Sequence, residues 1–214
     1  MKIVFENVLE RDFDFLIMNR FAKKDVSFIE LFLNKAGLIW EGCSIDSISH
    51  SVTTNDGETD VEIILNSGGS KVGILIEDKI DAVAQPEQSS RYIIRANKAV
   101  EEGKYSSYYI FIVAPLKYLE GNKEAGKYQF KVSYEEILGV TAEGFEKAIV
   151  EKALDESKHG YVPVEDRNVT EFWNHIYDFV EEYYPDIFFI QGRRGESRCA
   201  FPAADGLSGQ GIRK

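Results

Sequence analysis

Two strand-like runs joined by a tight turn constrain the fold of this chain more than any other feature. The first run is ETDVEIILN at 58–66, the second is KVGILIEDKI at 71–80, and the turn is SGGS at 67–70. The second run is apolar without alternation across VGILI, which is typical of a central strand covered on both faces. The sequence therefore predicts a hairpin whose second strand lies inside a sheet.

The residues around this hairpin show helical and strand periodicity in turn. We predict helices over 8–22, 26–36, 84–102, 133–139, 143–157 and 169–184, and strands over 43–54, 58–66, 71–80 and 105–114. A helix between the last two strands predicts that these two strands are parallel. The core order α–β–β–β–α–β predicts an α/β fold of mixed (α+β) character, with a mixed central sheet flanked by helices.

The length of 214 residues is typical of one domain. We predict a single domain over 1–185, with its core at 8–115 and a helical C-terminal part at 130–185. Residues 186–214 are rich in glycine and polar residues, and we expect a tail that is either disordered or the edge of a truncated module. Within this tail, the run DIFFI at 186–190 is a candidate strand.

The length of the SGGS turn predicts which side chains face one another. If 67–70 is the loop of a hairpin, Asp60 lies opposite Glu77, and Glu58 lies opposite Lys79 on the same face. Two carboxylates in contact at a partly buried position repel each other, and a divalent cation would turn that repulsion into binding. Oxygen ligands of this kind suit Mg²⁺ or Mn²⁺. The simpler alternative is that Lys79 forms a surface ion pair with Glu58 or Glu77.

The turn that precedes the hairpin determines where His50 lies. The residues Asn55-Asp56-Gly57 are a turn signal, and we take Asp56-Gly57 as its two-residue loop. That loop would place Thr53 opposite Asp60 and would point His50 away from the acidic cluster. We therefore predict a structural histidine at this position and not a metal ligand.

The helix predicted at 84–102 carries a polar stripe, whose members are Gln85, Gln88, Tyr92 and Arg95. Gln88 and Tyr92 can donate hydrogen bonds to phosphates or bases, and Arg95 adds a positive charge for phosphate. We therefore predict Gln88, Tyr92 and Arg95 as substrate-binding residues. A neighbouring apolar stripe of Ile93, Ala96 and Val100 is expected to pack on the sheet. An ordinary amphipathic helix with a polar border is the alternative.

The composition limits the classes of function. The net charge of −11 and the pI of about 4.9 argue against a large nucleic-acid-binding surface, but not against a small metal-bridged site. The sequence contains no apolar run long enough to cross a membrane, and acids occupy the N-terminal stretch where a signal peptide would be apolar. Cys43 and Cys199 show no metal-type spacing, so we expect reduced thiols and a cytoplasmic location.

Three motifs in order resemble those of the PD-(D/E)xK nuclease superfamily, which has the restriction-endonuclease-like fold. They are Asp60, then Glu77-Asp78-Lys79, then Gln88-Ser89-Ser90-Arg91-Tyr92. The last is similar to the QxxxY element of the RecB-like and lambda-exonuclease-like branches. The resemblance covers roughly 8–115 and implies an α–β–β–β–α–β core. The chain departs from the pattern at Thr59, where the superfamily often has proline.

The resemblance also implies roles for individual residues. Asp60 and Glu77 would be metal ligands, and the backbone carbonyl of Asp78 would be a further ligand. Lys79 would act on the attacking water, so that Asp60, Glu77 and Lys79 form the catalytic set. Many members add an acid from the first helix, for which Glu10 is the candidate here. An ordinary acid in the first helical turn, favoured by the helix dipole, is the alternative for Glu10.

The sequence thus predicts a Mg²⁺-dependent (or Mn²⁺-dependent) nuclease that hydrolyses phosphodiester bonds, most simply in DNA, by direct attack of water. A role in DNA repair or in defence against foreign DNA would suit this chemistry. The alternatives are a binding or scaffold protein that kept the fold without activity, and a nuclease directed at RNA. The expected partner is nucleic acid and not a membrane. The oligomeric state is left open, and a homodimer is one option.

Overall fold

The computed structural model describes residues 3–82, 85, 87–159, 171–172, 175–176, 178–179, 182–184, 188–191 and 197–200. Contacts between Cα atoms divide the chain into two compact units, Met1–Tyr161 and Val162–Lys214. This division falls earlier than the domain boundary predicted at residue 185. The candidate site residues all belong to the first unit.

The helices and strands of the first unit agree closely with the sequence patterns. In chain order they are α1 (Glu10–Ala22), α2 (Val26–Lys35), β1 (Cys43–Thr54), β2 (Gly57–Ser67), β3 (Ser70–Asp78), α3 (Gln88–Glu101), β4 (Ser107–Ala114), α4 (Leu116–Gly121), a 3-10 helix (Ala125–Lys127), β5 (Phe130–Ser133), α5 (Tyr134–Gly139) and α6 (Phe145–His159). The helix α3 begins four residues later than predicted, because Glu87 before it has a left-handed φ of 57°.

Three short elements between β4 and α5 were not predicted from the sequence. These are α4, the 3-10 helix and β5, of six, three and four residues. Elements of this length are shorter than the window in which apolar periodicity can be recognised. The strand β5 nevertheless completes the sheet, and α4 lies directly after the strand that neighbours the candidate site.

The strands form one mixed sheet in the order β1-β2-β3-β4-β5. The pairs β1–β2 and β2–β3 are antiparallel, whereas β3–β4 and β4–β5 are parallel. The parallel pairing of β3 with β4 was predicted from the helix between them. The residues Val72–Asp78 of β3 are all buried, which confirms the prediction of a central strand covered on both faces.

Helices cover both faces of the sheet. Because side chains alternate along a strand, Ile63 and Ile74 face one layer of helices, and Ile64 and Leu75 face the other. The first layer is built from α1, α2, α5 and α6, and the second contains α3 and α4. The unit is therefore a mixed α/β structure with an open five-stranded sheet between two helical layers.

The hairpin register is the one predicted for β2 and β3. Its pairs run from Ser67↔Ser70 through Asn66↔Lys71 to Val61↔Ile76. The strands separate beyond this last pair, which is where Asp60 lies. The predicted pairing of Glu58 with Lys79 is wrong, because β3 ends at Asp78 and the exposed Glu58 pairs with β1.

The loop between β1 and β2 lies one residue earlier than predicted, which shifts the pairing of the two strands by two residues. Thr54 pairs with Gly57, so the loop is Asn55-Asp56 and not Asp56-Gly57. Gly57 has a φ of 111°, which favours glycine at this end of the loop. As a consequence, Thr53 lies opposite Glu58 and not opposite Asp60.

The second unit contains helical residues and a short hairpin. Every described residue of 171–183 is helical, in line with the predicted helix at 169–184. The strands β6 (Phe188–Gln191) and β7 (Ser197–Ala200) are antiparallel, and β6 overlaps the candidate strand at 186–190. The rest of the predicted tail lies outside the described residues. Among the helices that the structure describes, none has the length and apolar character needed to cross a bilayer.

Candidate active site

Charged side chains from α1 and β3 meet where β3 ends. The Nζ atom of Lys79 lies 2.6 Å from Oε1 of Glu77 and 3.5 Å from Oε2 of Glu10. The other oxygen of Glu10 accepts a hydrogen bond from the backbone N–H of Ile80 at 3.1 Å. The first residue of α1 therefore reaches the segment just beyond β3, and the candidate Glu10 belongs to the cluster.

Asp60 is held next to this cluster by backbone hydrogen bonds. Its Oδ2 atom accepts a hydrogen bond from the backbone N–H of Asp78 at 2.9 Å. Its own N–H donates to the hydroxyl of Tyr92 at 3.2 Å, and that hydroxyl donates to the carbonyl of Ile76 at 3.2 Å. The Tyr92 hydroxyl thus bridges β2 and β3 at the point where the two strands separate.

The polar stripe of α3 faces the sheet, and its members contact different partners. Gln88 donates from Nε2 to Oε1 of Glu77 at 2.5 Å, so it belongs to the cluster. Arg95 is buried, donates to Oγ1 of Thr59 and to the carbonyl of Asp56 at 3.0 Å each, and packs over the Tyr92 ring at 4.2 Å. These contacts position the loop between β1 and β2. The predicted contact of Arg95 with phosphate remains a prediction.

The buried face of α3 matches the predicted apolar stripe in part, because Ala96 is buried and Val100 packs against the core, but Ile93 does not. Ile93 is 39% exposed, whereas Tyr92, Arg95, Ala96 and Ala99 are buried. The hydrogen bonds of Arg95 and its contact with the Tyr92 ring offset part of the cost of burying its charge, although its Nη2 atom has no hydrogen-bond partner among the described residues. Polar contacts thus turn the helix away from the orientation that hydrophobicity alone would choose.

Burial and neighbouring charges shift the pKa values of Asp60 and Lys79. Burial, together with the charge of Glu77, raises the pKa of Asp60 to about 8. Burial lowers the pKa of Lys79, but the carboxylates of Glu77 and Glu10 outweigh this and raise it above its ordinary value. Lys79 is therefore a cation at neutral pH, and without a bound cation Asp60 is mostly a neutral acid.

The side chain of Asp78 lies on the face of the sheet that is covered by α1 and α5. Burial raises its pKa well above the ordinary value, and the charge of Asp14 adds to this effect. The hydroxyl of Tyr134 donates to Oδ1 of Asp78 at 2.8 Å, and the ring of Tyr134 stacks on Phe13 at 3.8 Å between centroids. The predicted role of the Asp78 backbone carbonyl as a ligand remains a prediction.

A second acid of α1 lies near the cluster and was not singled out from the sequence. Asp14 follows Glu10 by one helical turn, and its Oδ2 atom lies 3.1 Å from Nε2 of His50. Burial raises the pKa of Asp14 to about 6. The i, i+4 spacing of Glu10 and Asp14 was the available signal. The partner of His50 makes it a paired histidine on the face of the sheet that carries α1.

The carboxylate oxygens of the cluster are the type of ligand that hard divalent cations such as Mg²⁺ prefer. Oε2 of Glu77 is buried without a hydrogen-bond partner among the described residues. Unpaired buried carboxylate oxygens are costly, and a cation would satisfy them. Among the described residues, however, no group of three or more His, Cys, Asp or Glu side chains is already arranged to hold a metal ion.

Comparisons with known proteins gave no match for this chain. No protein-family model matches the chain, and neither a curated protein nor a solved structure gives a significant match. The interpretation of the site therefore rests on its own residues and on the motif resemblance.

Proposed function

We propose that this protein is a metal-dependent nuclease of the PD-(D/E)xK type, with the restriction-endonuclease-like arrangement of its core. It would hydrolyse phosphodiester bonds in DNA by direct attack of water. The observation that carries the proposal is the convergence of Glu10, Asp60, Glu77 and Lys79 at one end of the sheet. These side chains come from α1, β2 and the end of β3.

The contacts around this cluster also support the proposal. Gln88 hydrogen-bonds Glu77, and Tyr92 hydrogen-bonds the backbone of Asp60, so both ends of the QxxxY element touch the proposed ligands. The elements from α1 to β4 also follow the order that the resemblance implies, with one additional helix, α2. Motif and contacts thus point to the same six side chains, namely Glu10, Asp60, Glu77, Lys79, Gln88 and Tyr92.

The residues have distinct proposed roles. Asp60 and Glu77 would hold Mg²⁺ or Mn²⁺, with Glu10 and the carbonyl of Asp78 as further ligands. A bound cation supplies a water of lowered pKa and offsets negative charge on the phosphate. Because the carboxylates of Glu77 and Glu10 keep Lys79 positive, it can orient the attacking water and stabilise developing charge.

One observation favours a second candidate, a binding or scaffold protein without activity. In the described part of the chain, Glu77 is paired with Lys79 and hydrogen-bonded to Gln88, and Glu10 accepts from the N–H of Ile80. No three His, Cys, Asp or Glu side chains in that part are arranged to bind a metal ion. The net charge of −11 points in the same direction. A nuclease directed at RNA is the remaining alternative and shares every residue of the proposed mechanism.

The decisive experiment is a cleavage assay on linear, circular and single-stranded DNA and on RNA, with Mg²⁺ and with Mn²⁺. We expect Lys79→Ala to abolish cleavage. The matched control is Lys71→Ala, which removes an exposed lysine at the other end of β3 that pairs with Asp46. Activity in Lys79→Ala equal to that of the wild type would refute the proposed site.

A second measurement covers the case in which Lys79→Ala fails to fold. Asp60→Asn keeps the shape of the side chain and an oxygen that can accept from Asp78 N–H. Calorimetric titration with Mg²⁺ and Mn²⁺, with nucleic acid present, should show binding to the wild type and none to Asp60→Asn. No binding to the wild type under these conditions would favour the scaffold protein.

A further inference from the structure

Two surface depressions lie on either side of the segment that follows Lys79. The α4 depression has a volume of about 430 Å³ and is lined by residues that include Ile80, Asp81, Pro115, Lys117, Tyr118 and Lys123. The α1 depression has a volume of about 340 Å³ and is lined by residues that include Glu10, Arg11, Ile80 and Asp81. Both share Ile80 and Asp81, which directly follow Lys79 of the proposed active site.

Positive side chains without partners line both depressions. Across residues 3–159, most lysines and arginines are in ion pairs, as Lys104 is with Glu62. Arg11, Lys117 and Lys123 are exposed and make no ion pair or hydrogen bond with the described residues. Their charges are therefore available to an anionic ligand on both sides of the acidic cluster.

The acids that line the depressions are mostly neutralised. Glu156, in the α1 depression, accepts a hydrogen bond from the N–H of Val8 at 3.1 Å and pairs with Lys152 at 3.5 Å. Glu10 is paired with Lys79. Glu10 and Glu156 are thus both paired with lysines, so these acids do not prevent the depressions from accepting an anion.

The hydroxyl of Tyr118 is a further unused donor in the α4 depression. It is buried and has no hydrogen-bond partner among the described residues. Burial raises the pKa of Tyr118, so the hydroxyl keeps its proton and can donate it in a hydrogen bond. A buried donor without a partner is uncommon in folded proteins and suggests a ligand atom.

We propose that Arg11, Lys117, Lys123 and the Tyr118 hydroxyl bind the phosphate backbone of one nucleic-acid strand. The strand crosses the acidic cluster, with Arg11 on one side and the two lysines on the other. This inference rests on the proposed function, because it assigns the substrate path of the same site. It also explains how a chain with a net charge of −11 can bind nucleic acid through a few local cations.

The test measures binding without catalysis, by fluorescence anisotropy in EDTA over a series of salt concentrations. The probes are a short labelled single strand of DNA and the matching duplex. The double variant Lys117→Gln/Lys123→Gln should reduce the slope of log affinity against log salt by about 1.4 on the single strand or about 1.8 on the duplex, since each phosphate contact contributes about 0.7 or 0.9.

The matched control is Lys24→Gln. Lys24 is exposed and has no ion pair with the described residues, but it follows the far end of α1, roughly 20 Å along the helix axis from Arg11. For Lys24→Gln, the slope of log affinity against log salt should equal that of the wild type. Tyr118→Phe should weaken binding about tenfold. It should not lower the unfolding midpoint, because the buried hydroxyl has no partner to lose.

The possible results separate this inference from the proposed function. A double variant with the wild-type slope on both probes overturns the inference, and so does a wild type that binds neither probe at low salt. If the wild type cleaves DNA in either case, the proposed function stands without this substrate path. If the slope falls as expected but no substrate is cleaved, the strand-binding surface stands and the catalytic proposal fails.

Discussion

Replacing Asp60 with asparagine should stabilise the protein in alkaline, metal-free buffer. The folded structure raises the pKa of this carboxyl from 3.8 to about 8, chiefly by burial and then by the charge of Glu77. Above its pKa in the unfolded chain, the native state retains a proton that the unfolded state has released. The stability that this group contributes is therefore lost as the pH rises towards 8.

The size of the effect follows from the pKa difference. Between about pH 5 and pH 8, the free energy of unfolding should fall by up to about 1.4 kcal/mol per pH unit, or about 4 kcal/mol in all. Water entry and local relaxation reduce the cost of a buried charge, so we expect about half of this value. Asp60→Asn has no proton to release at this position and should lack this loss.

The assay is urea unfolding in EDTA at about pH 5 and at about pH 9. The stability advantage of Asp60→Asn over the wild type should grow by about 2 kcal/mol between the two conditions. Glu58→Gln, at an exposed acid on the same strand, controls for the general effect of net charge and should follow the wild type. An advantage of Asp60→Asn that shrinks or stays constant with rising pH would refute the burial argument.

Two further substitutions test the packing around the site. In thermal unfolding, Gly73→Ala should destabilise the protein by about 1–3 kcal/mol, because the new Cβ would lie 2.7 Å from the Tyr105 ring. The control is Gly121→Ala, whose new Cβ meets no atom within 4 Å and which should leave the stability unchanged. Equal effects of the two substitutions would contradict the predicted clash. Tyr134→Phe should lower the free energy of unfolding, measured in urea, by about 1–3 kcal/mol, because it leaves the buried Asp78 carboxyl without its hydrogen-bond donor. An unchanged free energy of unfolding would show that this hydrogen bond contributes nothing to stability.

The sequence predicted the centre of the fold well because the relevant signals are local. The four-residue turn set the register of β2 with β3, and the unbroken apolar run of β3 identified its central place. The register in turn brought Asp60 beside Glu77 without knowledge of any long-range contact. Gln88 could be expected near the acids because the helix that carries it follows β3 within a few residues.

The errors arose where contacts between distant residues compete with local pattern. Hydrophobicity favoured Ile93 as the buried face of α3, but the contacts of Arg95 with Thr59 and the β1–β2 loop rotate the helix. The loop itself was placed one residue late, since periodicity does not show which residues of Asn55-Asp56-Gly57 form it. Tyr118 could not be predicted as part of the site, because its helix is too short to show a period.

The hydroxyl of Tyr92 ties the spacing of the two strands to the position of a helix. Just beyond the last pair of the β2–β3 ladder, the Tyr92 hydroxyl accepts from the N–H of Asp60 and donates to the carbonyl of Ile76. One helix therefore contacts both strands that carry the proposed ligands. Through Tyr92 it reaches the backbone of Asp60, and through Gln88 it reaches the carboxylate of Glu77, so a displacement of α3 would affect both acids together.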